Sequence, residues 1–106
     1  AADVICESIA APVICPINEI SYWAWAGGEV GHFAPCGLQR GNELKRQLVR
    51  ASVSAIAAIK ARHPRARFFI AEPLIHVDAQ PADCDGARSS AERHRDAQYD
   101  AGRMIL

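Results

Sequence analysis

The residues of this chain best suited to chemistry stand together near its start. The apolar run Val13-Ile14-Cys15-Pro16-Ile17 delivers Asn18 and Glu19, and Tyr22, Trp23 and Trp25 follow closely. Along a strand, adjacent side chains alternate between faces, but where a strand ends the chain turns and both polar residues can reach one cleft. A carboxyl group among aromatic rings is suited to proton transfer, and ring faces suit the C–H faces of sugars. Glu19 is therefore the candidate catalytic residue, with Asn18, Tyr22, Trp23 and Trp25 as candidate substrate contacts and Phe33 as a further ring. The plain alternatives are that Glu19 caps the amide of Ser21 or Tyr22 and that the rings pack beneath a loop. A second carboxylate, Glu72, closes the apolar run Phe68-Phe69-Ile70-Ala71. On the same rim as Glu19 it would bind substrate or act on Glu19 by like-charge repulsion. Its alternative role is to hydrogen-bond a neighbouring loop.

These residues resemble a family. Asn18-Glu19 after an apolar strand, then the aromatic loop and Gly27-Gly28, look like the fourth strand of retaining glycosidases of the β-glucosidase type. His32-Phe33-Ala34-Pro35 is similar to the tail of that family's following loop. Leu44 to Arg62 resembles the next helix, Phe68 to Leu74 the fifth strand, and Gln98-Tyr99-Asp100-Ala101 before Met104-Ile105 a later helix. Ile20 stands where the family usually has proline, and Pro16 where it commonly has threonine. The resemblance covers roughly residues 12–106. It implies an α/β fold, a fragment of a (β/α)8 barrel of about two β/α units. It implies Glu19 as the acid/base, Asn18 as the partner of a sugar hydroxyl, and hydrolysis of O-glycosidic bonds without a cofactor. The second carboxylate of the retaining mechanism would lie about 5–5.5 Å from the first, on a seventh strand that this chain does not reach.

Length agrees with a partial barrel: 106 residues make one domain at most, and a whole (β/α)8 barrel needs about 250. Lys+Arg 12 against Asp+Glu 12 gives no net charge, so nothing points to nucleic acid or to an acidic membrane surface. Cys6, Cys15, Cys36 and Cys84 are widely and irregularly spaced, with no Cys-x-x-Cys pair, so a zinc site is not expected. Cys15 in an apolar run reads as a small core residue. Reduced thiols and a cytoplasmic setting follow. Residues 1–15 lack the basic start of a signal peptide, and no stretch has the length of a membrane span. His32 and His76 have no second histidine at i+3 or i+4, which argues against a metal. Gly27-Gly28 and Gly31 do not form a phosphate loop.

The elements needed to position the candidate residues can be read in outline. Residues 4–10 suit a short strand or a helix end, and residues 1–11 carry none of the resemblance. Val13–Ile17 is the first strand. Residues 19–41 form a long loop with five of the seven glycines, part of it, Tyr22–Ala26, suited to a helical turn. Asn42 is a fitting N-cap, and Leu44, Leu48, Ala51, Ala55 and Ile59 recur at helical spacing, with Val49, Val53 and Ile56 widening the stripe. Lys45, Arg46, Arg50 and Lys60 fall outside that stripe. Pro64 ends the helix. The uninterrupted run at 68–71 suits a strand buried on both faces, and strand, helix, strand makes a parallel βαβ unit. Residues 78–88 read as a loop, and Ser89-Ser90-Ala91-Glu92 as a capping box opening a charged helix that ends near Gly102.

The expected partners are a carbohydrate substrate and the remainder of a barrel, or other copies of the chain. A non-catalytic carbohydrate-binding fragment is the nearest alternative. A small α/β oxidoreductase is a more distant one, lacking both a nucleotide turn and Cys-x-x-Cys.

Overall fold

The computed structural model describes residues 1–79 and 85–105. In chain order the elements are helix α1 (Ala2–Ser8), strand β1 (Val13–Ile14), helix α2 (Ile20–Trp23), a π-helical turn (Ala24–Glu29), helix α3 (Gly41–Arg62), strand β2 (Arg67–Phe68), helix α4 (Asp85–Ala97) and helix α5 (Asp100–Ile105). Of the described residues 58% are helical, and the two short strands are paired parallel. The parallel pairing across a long helix is as expected. The barrel is not: this is not a two-unit (β/α)8 fragment.

The reason lies in the ladder. Val13 pairs with Arg67 and Ile14 with Phe68. Arg67 N–H donates to Pro12 O at 2.9 Å and Phe69 N–H to Ile14 O at 3.1 Å. In this register residue 16 would supply the next N–H from β1, toward Phe69 O, and Pro16 has none. The strands predicted over 13–17 and 68–71 therefore stop after two residues each. Val13 and Phe69 are exposed, whereas Ile14, Phe68 and Ile70 are half-buried. A continuous apolar run suits a strand covered on both faces, but neighbouring strands must supply that cover.

Helix α3 spans Gly41–Arg62 and ends at His63, before Pro64. Its start differs from the expected Asn42 cap. Gly41 is the first helical residue, and its N–H is held by Glu29 Oε2 at 3.1 Å. Arg40, at the N-cap, forks onto Glu43 with hydrogen bonds of 2.8 and 2.6 Å. The buried face is rotated toward one edge of the predicted stripe, the edge that carries Val49. Gly41, Lys45, Val49 and Ser52 are buried, Leu44 and Leu48 lie at its margin, and Ala51 is exposed. The helix packs on the π turn, α2 and α5, and those neighbours choose the face.

The apolar core is Ile20, Val49 and Ala101, flanked by Ile17, Leu48 and Ile105. Lys45 ties α3 to the C-terminal helices, with Nζ 3.3 Å from Ala97 O and 3.8 Å from Asp100 Oδ2. At the opposite end α1, a helix rather than a strand, is fastened by Asp3 to His63 at 2.9 Å and to Arg62 at 3.2 Å. Ser89-Ser90-Ala91-Glu92 does not open a helix: it lies inside α4, where Ser89 Oγ bonds Asp85 O. Gly102 lies within α5, not at a helix end. Cys6, Cys15 and Cys36 are free thiols, Cys15 only half-buried. Cys84 lies outside the described residues.

Candidate functional site

Three of the six predicted site residues, Tyr22, Trp23 and Trp25, gather on one helical segment. The stretch expected to be a loop with one helical turn is α2 followed directly by the π turn, from Ile20 to Glu29. Ile20, Ala24 and Ala26 are buried beneath it, and Tyr22, Trp23 and Trp25 stand on its outer side. The π turn's last carbonyls lack partners within the helix, and the returning loop supplies them. His32 N–H donates to Ala26 O at 2.7 Å, Gly37 to Gly27 O at 2.8 Å, Gln39 to Glu29 O at 3.0 Å and Arg40 to Gly28 O at 2.8 Å. This return also sets the approach to α3. A Cβ on Gly28 would meet Gly41 Cα and Leu44 Cβ, both at 3.0 Å.

The same return carries His32 and Phe33 onto the rings of the helix. Trp23 meets Phe33 edge to face, with centroids 5.0 Å apart. Tyr22 lies 5.9 Å from Trp25 and 6.1 Å from Phe33, both tilted. Trp25 meets His32 edge to face at 5.6 Å. The result is one aromatic patch, and its rings remain open: Tyr22 is 43%, Trp23 42% and Trp25 49% exposed. The contact with His32 is not legible in sequence, because it depends on how the loop returns.

The two carboxylates are treated differently. Glu19 adopts φ 51°, ψ 56°, the left-handed region, which costs a residue with a Cβ about 1–2 kcal/mol. Its backbone is fully used: N–H donates to Ala71 O at 2.8 Å, and its carbonyl accepts from Trp23 N–H at 3.0 Å. Its half-buried side chain has no hydrogen bond or ion pair among the described residues. Glu72 is engaged. Both its oxygens accept from Ser21 N–H, at 3.2 and 3.1 Å. The capping role weighed for Glu19 thus belongs to Glu72, which reaches the start of α2 from the other strand. Asn18 is exposed beside Glu19. The Glu19–Ala71 bond keeps both carboxylate-bearing segments side by side past the end of the ladder.

A cleft of about 240 Å³ opens next to the patch. Tyr22 and Trp25 form one wall, Pro73, Ile75 and Val77 line it too, and Lys45 reaches it from α3. Lys45 was expected on the solvent side of its helix, and its burial is set by α5.

Among the described residues, no group of three or more His, Cys, Asp or Glu is arranged to hold a metal ion. None of the helices among them is long and apolar enough to cross a membrane. The chain matches no family model, no curated protein and no solved structure.

Proposed function

We propose that this chain binds carbohydrate through the aromatic patch of Tyr22, Trp23, Trp25 and Phe33. The observation that carries the reading is the exposure of three mutually supported rings on a helix whose other side is buried. Large rings left open are costly in water unless a ligand covers them. Sugar C–H faces suit such rings, and the free Glu19 carboxylate and Asn18 amide lie close by in sequence to accept and donate hydrogen bonds. The test is titration with β-linked gluco-, galacto- and xylo-oligosaccharides, followed by tryptophan fluorescence and calorimetry. Trp23→Ala and Trp25→Ala should each weaken binding about tenfold, the scale of one lost stacking contact. Saccharides that do not bind, or variants that bind like the parent chain, would end this reading.

A second reading is favoured by Glu19 itself. A carboxylate without a partner, on a backbone in a sparsely populated region, is the kind of outlier that clusters at active sites. In this reading Glu19 gives a proton to the leaving oxygen of a glycoside. Retaining chemistry needs a nucleophilic carboxylate about 5–5.5 Å away. Glu72 is held by Ser21 N–H, so the nucleophile has to come from another part of the protein. Glu19→Gln should abolish turnover of alkyl glycosides while sparing much of the turnover of activated aryl glycosides, whose leaving groups need little protonation. Equal loss on both would assign Glu19 another role.

A further inference from the structure

The cleft beside the patch has a chemistry that sugar stacking does not account for. Its walls are largely apolar, with Tyr22 and Trp25 on the aromatic helix and Pro73, Ile75 and Val77 on the extended segment after β2, while His94 and Gln98 complete the lining. Lys45 also lines this space. The Lys45 side chain is only 11% exposed. Burying an ammonium is costly unless it is paired and hydrogen-bonded, and Lys45 is poorly served. Its one hydrogen bond runs to Ala97 O at 3.3 Å. Asp100 Oδ2, at 3.8 Å, is beyond hydrogen-bond distance, and Asp100 is itself 40% exposed. An ammonium has three donors, and two of them have no hydrogen-bond acceptor among the described residues. Ser21 also lines the cleft, and its buried Oγ has no hydrogen-bond partner.

We infer that this cleft binds a small aryl monocarboxylate, its ring against Tyr22 and Trp25 and its carboxylate on Lys45 Nζ. Asp100 answers the charge of Lys45 only in part, from 3.8 Å and 40% exposed, so at most one further negative charge is called for. A phosphate dianion would bring more charge and more acceptor oxygens than one ammonium can answer. A neutral apolar molecule would fill the walls but leave Lys45 as it is. A carboxylate accepts the two spare donors, and its aromatic body replaces water on the ring faces. A few polar groups converging in an apolar cleft are the usual build of a small-molecule site.

The inference is separable from the carbohydrate reading, although the two share Tyr22 and Trp25. Trp23 belongs to the patch and does not line the cleft, and Lys45 lines the cleft without joining the patch. Phenylacetate and its neutral isostere phenylacetamide are the probes, titrated into the whole chain with the Trp25 indole N–H and Lys45 side-chain NMR signals as readouts. Phenylacetate should bind about tenfold or more tighter than the amide, as expected for a charge-assisted hydrogen bond, and should move both signals. Lys45→Met, which keeps the length of the stem, should erase the preference for the acid. Trp23→Ala should leave phenylacetate binding unchanged while weakening saccharide binding. Equal affinity for acid and amide, a preference that survives Lys45→Met, or shifts confined to residues outside the cleft would each overturn the inference, as would no binding of either probe. The acid-against-amide comparison and the signal map are made on the unaltered chain, so they decide the matter even if Lys45→Met does not fold.

Discussion

Glu19 and Glu72 both follow strands of one parallel pair, yet they respond to substitution in opposite ways. Glu72 fixes the first turn of α2 through Ser21 N–H. Glu72→Ala should lower stability by about 1 kcal/mol, the usual effect of losing a helix cap. Glu19 sits at positive φ with a side chain that has no partner among the described residues. Glycine has no Cβ to strain there, so Glu19→Gly should raise stability by about 1 kcal/mol. Urea denaturation of the two variants checks both signs, and a Glu19→Gly chain less stable than its parent would mean that the carboxylate supports the fold. A third carboxylate gives a pH dependence. The hydrogen bond from His63, with the Arg62 guanidinium nearby, holds Asp3 below the ordinary aspartate range. A depressed carboxylate contributes stability above its unfolded value, about 3.9, and loses it as pH falls through the folded value. The attachment of α1 to the end of α3 should therefore be intact at pH 5 and fail at lower pH. Amide exchange in residues 2–8 should rise there before exchange in α3 does.

At the scale of elements, the joint between the π turn and α3 sets the geometry of the patch. Gly28 lets the two backbones approach, and Glu29 then reaches the first N–H of α3. A methyl on Gly28 would press on Gly41 Cα and Leu44 Cβ, neither of which is the far end of a flexible side chain. Gly28→Ala should lower the melting temperature through an overpacking cost of about 1–3 kcal/mol, and should disturb the Trp23 and Trp25 signals as the helix carrying them is displaced. Unchanged indole signals would place the control of the patch elsewhere. The shift of the α3 face has the same origin. Several apolar side chains ring this helix, so its sequence supports more than one buried stripe. Docking on the π turn and α5 selects the one containing Lys45, Val49 and Ser52.

For the whole molecule the governing quantity is surface. The radius of gyration is 16.9 Å and the extents are 56 × 25 × 19 Å, against a radius of about 13 Å for a compact chain of this length. The accessible surface is 7316 Å², while a compact protein of this mass exposes about 5,800 Å². The difference is about twice what each partner gives up in a standard protein–protein contact, about 800 Å². Val4, Ile9, Val13, Phe69, Leu74 and Ile75 are among the apolar residues left open, and among the described residues both edges of the two-stranded sheet are free. Residues 1–106 on their own should therefore self-associate and bind a hydrophobic dye, with a broad thermal transition. A monodisperse monomer in sedimentation, with a sharp cooperative transition, would contradict this.

Several features are local and were legible from the residues alone. They include the span and C-terminal end of α3, fixed by helical periodicity and Pro64, and the parallel strand–helix–strand order. They also include the helical turn that carries Tyr22 and Trp25. The features that misled depend on partners far along it. An apolar run becomes a barrel strand only when other strands flank it, and here Pro16 removes the donor that would have extended the ladder. Which glutamate caps α2, which face of α3 is buried, how His32 reaches Trp25 and why Lys45 is enclosed are all decided by segments meeting across tens of residues. Alternation and periodicity report what a segment is able to bury. Only the tertiary structure decides against what, because the free energy of burial belongs to the pair of surfaces and not to either one alone.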